Sequence, residues 1–210
     1  MVPTTAYLVA CGVDPDVAER RIAGIATSCS RFGIQTKKQV SAYVAQCMHE
    51  SRRFTKMEED MNYSAARLMV VWPHRFTGVA LANRYAHAPE MLANFVYGDR
   101  TELGNRGIAS GDGWDYRGSG DIQVTGRFNF IAADEVLGTE YAKHPTLPRT
   151  TPSDASLMAG WFWFSNGLNQ LIESTGNIDL ISKKINKWQG ADELRTRAGV
   201  YSRCYSLAYD

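Results

Sequence analysis

The chain has 210 residues, of which 44% are hydrophobic and 21% are charged, with 18 glycines and 7 prolines. These proportions exclude a disordered or collagen-like chain and indicate a globular protein of one domain or two small ones. The 23 basic and 22 acidic residues give a formal net charge of +1, which argues against a nucleic-acid-binding protein and against strong attraction to anionic membranes.

Export and membrane signals are lacking in the sequence. No stretch approaches the roughly 20 apolar residues that span a bilayer as a helix, so we expect no stable membrane insertion. Residues 1–13 lack the basic start and the cleavage site of a signal peptide. In a chain without an export signal, we expect the four cysteines to be buried thiols rather than disulfides. They are Cys11, Cys29, Cys47 and Cys204.

The first half of the chain is predicted to be helical. Asp14 followed by Pro15 is an N-cap residue with proline at the first helical position, and Gly33 is suited to end that helix. Ser64 can cap a later helix. Apolar spacing and these caps predict further helices over residues 38–53, 64–72, 79–87 and 89–97.

A Gly/Asp-rich segment, residues 98–120, separates these helices from a second helical part. Residues 121–125 alternate polar and apolar side chains, which predicts a short strand. Helices are then predicted over residues 126–137, 153–165, 178–187 and 192–207. The strand content is too low for a doubly wound sheet, so we expect a mainly α (α+β) chain with a small irregular β element.

The helix over residues 38–53 carries an unusual polar face. Gln46, His49, Glu50 and Arg53 follow helical spacing and share one side. A solvated face usually favours lysine–glutamate pairs instead. The negative end of the helix dipole disfavours an ionised carboxylate at Glu50, which suits a general acid. A zinc site of the H-E-x-x-H type needs histidine where Arg53 stands, so His49 is interpreted as structural and no metal is expected.

A second acidic group follows in the loop after this helix. This acidic run consists of Glu58, Glu59 and Asp60. It is either an ordinary charged surface, or one of its carboxyl groups acts together with Glu50 in catalysis. A glycosidase needs two carboxyl groups, one protonated and one ionised, across a single bond. Spacing alone leaves both interpretations open.

These residues lie in ordered blocks that cover most of the chain. Together the blocks resemble glycoside hydrolase family 19, and most of all its bacteriophage endolysin branch. The blocks are Ala45-Gln46-Cys47-Met48-His49-Glu50-Ser51, Phe54, Glu59-Asp60-Met61-Asn62-Tyr63-Ser64-Ala65, Gly111-Asp112-Gly113-Trp114, Tyr116-Arg117-Gly118, Gly120, Ile122-Gln123-Val124-Thr125-Gly126, Trp161-Phe162-Trp163, and Ile185-Asn186 with Arg195, Arg197 and Tyr201.

The resemblance implies a lysozyme-like fold with two lobes around a central cleft, and an inverting mechanism without metal or organic cofactor. Glu50 matches the family's general acid and Glu59 its general base, with Glu58 as the competing base. Thr125 matches the residue that holds the attacking water. The positions that match cleft-lining, substrate-binding residues are Gln123, Asn129, Asn186 and Arg197.

Aromatic and acidic residues in the middle of the chain have two interpretations each. Trp114 and Tyr116 either stack on sugars or anchor the Gly-rich loop. The run Trp161-Phe162-Trp163 is interpreted as core packing. Three loop aspartates, Asp112, Asp115 and Asp121, lack calcium-loop spacing and are expected to be solvated acids or helix caps.

Several positions depart from the family pattern. Arg52 and Arg53 stand where small glycines are usual, Ser119 where arginine is usual, and Asp121 where an apolar residue is common. The family's Asn-Gly-Gly is replaced here by Asn186-Lys187-Trp188. Because the acid and the base are retained, we expect activity, whereas the altered cleft residues leave the substrate preference open.

The sequence therefore predicts an endolysin that hydrolyses the β-1,4 bonds of bacterial peptidoglycan. We expect residues 1–210 to form a single catalytic domain without a wall-binding domain, and the enzyme to be a monomer. It is expected to stay in the host cytoplasm until a separate pore releases it to the cell wall. The alternatives are a chitinase acting on N-acetylglucosamine polymers (chitin oligomers), a lytic transglycosylase, and an inactive glycan-binding protein or lysis-inhibitor partner.

Overall fold

The computed structural model describes residues 1–209, and these are mainly α-helical. The longer helices are α1 (Thr5–Cys11), α2 (Pro15–Arg31), α3 (Lys37–Glu50), α4 (Ala65–Val71), α5 (Val79–Tyr85), α6 (Pro89–Tyr97), α8 (Arg127–Leu137), α10 (Pro152–Ser165), α11 (Leu168–Thr175), α12 (Ile178–Ile185) and α13 (Ala191–Leu207). Two four-residue helices are α7 (Asp112–Asp115) and α9 (Leu147–Thr150), and 3-10 turns lie at Thr101–Leu103 and Ile108–Ser110. The predicted mainly α class is confirmed.

Local capping explains several of the helix boundaries. Asp14 accepts hydrogen bonds from the first turn of α2, and Ser64 accepts from the Arg67 amide at the start of α4. Thr36 and Gln39 form a reciprocal capping box at the start of α3. Helices α1 and α11 were not predicted from the sequence. Thr4 caps α1 by accepting a hydrogen bond from the Tyr7 amide.

The predicted strand over residues 121–125 is wrong. Within residues 1–209, the β element there is an isolated bridge in which Ser119 and Val124 exchange both backbone hydrogen bonds. The chain between them turns tightly, with φ of +76° at Gly120 and +58° at Gln123. A turn with alternating burial has the same polar–apolar pattern as a strand.

The chain folds into two compact units, each assembled from separate stretches of sequence. Unit 1 contains residues 1–57, 119–124 and 147–210, and unit 2 contains residues 58–118 and 125–146. Glu50 belongs to unit 1, and Glu59 and Thr125 belong to unit 2.

In unit 1, α2 packs closely on α10, and α3 packs on α13. Gly160 allows α10 to lie close to α2, because a Cβ at this position would collide with Ser28 and Phe32 near the end of α2. Trp163 is fully buried and contacts the Tyr43 ring edge-on, and its indole nitrogen donates to Asn169 at 2.8 Å. The core interpretation of Trp161 and Trp163 is confirmed.

In unit 2, helices α4 to α7 surround an apolar cluster. Its fully or nearly fully buried members are Met61, Leu68, Phe76, Ala82, Leu92, Ala93 and Val96. Gly113 lets α7 approach α6, because a Cβ at this position would lie 2.5 Å from the Ala93 carbonyl oxygen.

The four cysteines are buried thiols, as expected. Throughout residues 1–209, no helix combines the length and the apolar character needed to cross a bilayer.

Candidate active site

Glu50 is the last residue of α3, and the chain turns sharply directly after it. Ser51 ends the helix, its hydroxyl donating to the Cys47 carbonyl at 2.6 Å and accepting from the Phe54 amide at 2.9 Å. Arg52, Arg53 and Phe54 all have positive φ, between 49° and 64°, which is rare for residues with a Cβ. Arg53 therefore does not share the polar helix face, contrary to the prediction from spacing.

The Glu50 carboxylate is held by a buried arginine from α13. Arg197 donates from Nη2 to Glu50 Oε1 at 2.5 Å and from Nη1 to Gln46 Oε1 at 2.6 Å. The Gln46 amide in turn donates to Ser182 Oγ at 2.9 Å. Arg197 and Gln46 are both buried. The Arg197 guanidinium is therefore engaged inside the protein, and this burial does not favour the predicted direct contact of Arg197 with substrate.

His49, next to Glu50, is half-buried. Burial lowers the pKa of His49, and the nearby Arg197 guanidinium lowers it further, while Glu50 and Glu193 act in the opposite direction. A neutral imidazole at this place agrees with the structural interpretation of His49.

Glu59 is held in unit 2 by a different set of partners. Its backbone amide donates to the Gly118 carbonyl at 2.9 Å, and the Gly118 amide donates back to Glu59 Oε2 at 3.1 Å. The Tyr97 hydroxyl donates to Glu59 Oε1 at 2.7 Å. Burial raises the pKa of Glu59 above its usual range, although these hydrogen bonds oppose the rise. Sequence reasoning missed Tyr97 because no local pattern links the end of α6 to Glu59.

Glu58, the competing base, has a different environment. Its side chain is exposed and accepts from Arg117 Nη2 at 2.5 Å. Arg117 also lies 3.4 Å from the centroid of the Trp114 ring and donates to the Trp114 carbonyl at 2.7 Å. An exposed carboxylate with a dedicated counterion is a weaker candidate for a base than Glu59.

Thr125 is partly buried at the start of α8. The Asn129 side-chain amide donates to the Thr125 carbonyl oxygen at 2.7 Å, so Asn129 holds the backbone beside the predicted water-binding hydroxyl. The Gln123 amide donates to Gly120 at 2.9 Å and closes its own turn. Asn186 is exposed after α12, and its side-chain oxygen accepts from the Trp188 amide at 3.1 Å.

The two aromatic residues of the Gly-rich loop differ in exposure. Tyr116 is buried, packs edge-on against Phe130, and donates its hydroxyl proton to the Ala142 carbonyl at 2.8 Å. The loop-anchoring interpretation is therefore right for Tyr116, and the prediction that it stacks on sugar is wrong. Trp114 is half-buried, with Arg117 against its ring.

Two of the three loop aspartates are not solvated, contrary to expectation. Asp112 is buried and accepts from the Arg106 guanidinium at 2.8 and 2.9 Å. Asp121 is buried in unit 1, paired with Arg21 and accepting from Ser156 Oγ at 2.7 Å. Among residues 1–209, no cluster of three or more histidine, cysteine or acidic side chains has the arrangement of a metal site.

The chain is similar in sequence to curated proteins. The chain is 33% identical over 162 residues to a glycosyl hydrolase family 19 domain-containing protein of Haemophilus influenzae, covering 77% of each protein. A shorter match, 39% identical over 54 residues, covers 26% of this chain and 19% of an endochitinase of Arabidopsis thaliana. No protein-family model matches the sequence.

Solved structures share the fold. A bacterial family 19 chitinase superposes with a TM-score of 0.67, covering 99% of this chain and 95% of that one at 16% identity. Chitinase C of Streptomyces griseus superposes with a TM-score of 0.65, covering 97% of this chain and 75% of that one at 17% identity. The fold is therefore the lysozyme-like fold of the family 19 chitinases.

Proposed function

The chain belongs to glycosyl hydrolase family 19 and is a glycoside hydrolase, and we propose that it is an endolysin that hydrolyses β-1,4 bonds of peptidoglycan by inversion. The observation that supports the acid–base mechanism is that Glu50 and Glu59 are each held by their own hydrogen-bond network. Glu50 faces a buried guanidinium, and Glu59 faces neutral donors. Acid–base glycoside hydrolysis requires two positioned carboxyl groups, one to donate a proton and one to activate water.

Glu50 is proposed as the general acid. It protonates the glycosidic oxygen as the bond to the leaving sugar breaks, and negative charge then develops on its own carboxyl group. The Arg197 guanidinium, 2.5 Å away and already oriented by Gln46, stabilises that charge. Arg197 is thus a positioning residue that acts through Glu50.

Glu59 is proposed as the general base. It removes a proton from the water that attacks the anomeric carbon, and burial makes it a stronger base by raising its pKa. Tyr97 and Gly118 bind both carboxylate oxygens and restrict the rotation of the side chain. Thr125 lies in the same unit, and its hydroxyl can both donate to and accept from the attacking water.

Peptidoglycan is proposed as the substrate because the sequence blocks resemble the endolysin branch of the family. In that role the enzyme is a monomer with one catalytic domain, and a separate pore releases it to the wall. Chitin oligomers are the alternative substrate, favoured by the fold shared with enzymes named chitinases. Neither substrate calls for a metal or an organic cofactor in this scheme.

Chemical rescue tests the two roles. With Glu59→Ala, added azide replaces the activated water and should restore cleavage, giving a glycosyl azide of inverted configuration. Azide should not rescue Glu50→Ala, because that variant lacks the proton donor. Rescue of Glu50→Ala instead would exchange the two roles. Parallel assays on dye-labelled peptidoglycan and on N-acetylglucosamine hexamer decide the substrate, and cleavage of the hexamer alone would make the protein a chitinase.

A further inference from the structure

A solvent-exposed tryptophan lies in the loop between α12 and α13. Trp188 is 83% exposed, more than any other large hydrophobic side chain in the described residues. The Lys187 ammonium nitrogen lies 4.8 Å from the centroid of the indole ring, within cation–π range. Most of the indole surface therefore remains open to a ligand.

The surroundings of this tryptophan are rich in cations. Lys183 and Lys184 are exposed in the last turn of α12, and Lys187 follows directly in the loop. Within residues 1–209, none of these three lysines forms an ion pair. The neighbouring Asp192 is paired with Arg195, so it does not neutralise them.

The same loop also contains an unsatisfied amide. The side-chain oxygen and nitrogen of Gln189 are both buried and have no hydrogen-bond partner among the described residues. A buried amide without partners costs free energy and calls for an explanation. The loop that holds the exposed indole therefore also holds an amide whose two polar atoms are unsatisfied.

This loop is connected to the proposed acid through α13. Gly190 caps α13 directly after Gln189, and Glu193 in its first turn influences the pKa of His49, the neighbour of Glu50. One turn further along α13, Arg197 binds Glu50 itself. The exposed indole and the proposed acid thus lie in the same unit and are connected through α13.

We propose that Trp188 and Lys187 form a binding site for a sugar that carries a carboxylate. The open side of the indole stacks on the C–H face of the pyranose, and Lys187 with its neighbouring lysines binds the carboxylate. This inference rests on the proposed function and deepens it, since the lactyl and peptide carboxylates of peptidoglycan supply that charge and chitin oligomers lack it.

Kinetics of matched variants on two substrates test the site. Trp188→Ala should raise KM for peptidoglycan about three- to tenfold with little change in kcat, and Trp188→Phe should recover part of the loss. Lys187→Gln should raise KM for peptidoglycan and leave KM for N-acetylglucosamine hexamer unchanged. Phe164→Ala, which removes another exposed aromatic ring of unit 1, is the control and should have no effect on either.

A binding measurement separates this inference from the proposed function. Glu50→Gln is titrated with a disaccharide–tetrapeptide muropeptide and with the hexamer, with and without Trp188→Ala, and the heat of binding is recorded by isothermal titration calorimetry. Loss of muropeptide binding in the double variant supports the site even if peptidoglycan is never cleaved. Unchanged binding and unchanged KM in the Trp188→Ala variants overturn the site, and equal effects of Lys187→Gln on both substrates overturn its preference for carboxylates.

Discussion

The buried ion pair between Arg21 and Asp121 gives the sharpest stability prediction. The two side chains are 3% and 0% exposed, and Ser156 Oγ donates to the second carboxylate oxygen at 2.7 Å. Replacing Asp121 by leucine leaves a buried guanidinium without its counterion. Breaking a buried pair from one side costs about 3–5 kcal/mol.

Removing both charges should have a different effect. Burial raises the pKa of Asp121 although Arg21 opposes the rise, so the surroundings disfavour the ionised carboxylate. The double variant Arg21→Met with Asp121→Leu removes that penalty together with the attraction. Such replacements are close to neutral, or stabilising by about 1–4 kcal/mol. The double variant should therefore be more stable than Asp121→Leu alone.

Thermal unfolding followed by far-UV circular dichroism measures the difference. For a chain of this size, 1 kcal/mol changes Tm by about 2–4 °C, so Asp121→Leu should lower Tm by about 6–20 °C. The exposed pair Asp192–Arg195 is the matched control, and replacing it in the same way should leave Tm unchanged. A loss below about 3 °C for Asp121→Leu, or a double variant as unstable as the single one, would refute the reasoning.

Three further predictions follow from the site and the packing. Tyr97→Phe removes the hydroxyl donor to Glu59 and should raise the pKa of Glu59 further. Because the base must be ionised, activity is lost as pH falls through that pKa. The acidic limb of the kcat/KM profile should therefore move to higher pH. Arg197→Lys keeps the charge but loses the two-pronged hydrogen bonding, and should lower kcat at least about tenfold with little change in KM. Gly113→Ala places a Cβ 2.5 Å from the Ala93 oxygen and should destabilise by about 1–3 kcal/mol, measured by urea unfolding.

Helices whose ends are marked by local chemistry can be predicted closely from the sequence. α6 begins at Pro89 and ends at Tyr97, as predicted, and α4 begins after the Ser64 cap. Such signals involve residues within one turn of each other, so a single sequence contains them. The Thr4 cap of α1 is a signal of the same kind, so the start of that helix is also marked locally.

Features that depend on distant residues could not be predicted. The sequence predicts Asp121 to be a solvated acid or a helix cap, because its partner Arg21 is 100 residues away in the chain and no local pattern indicates it. The Arg197–Glu50 contact spans 147 residues, so the family resemblance predicts Arg197 as a substrate-binding residue without indicating that it is buried and bonded to Glu50. Tyr97 contacts Glu59 only in the folded chain, because the two residues are 38 positions apart and no local spacing links them.

The central claim is tested most directly by digesting purified Gram-negative peptidoglycan with the wild type and with Glu50→Gln, then reducing the products and analysing them by mass spectrometry. The account predicts hydrolysed, reducible sugar ends made by the wild type and absent with Glu50→Gln, and the reduced sugar identifies the bond that is cut. Anhydro-sugar ends would mean a lytic transglycosylase and would contradict the base-activated water. Intact peptidoglycan after treatment with the wild type would contradict the endolysin proposal itself.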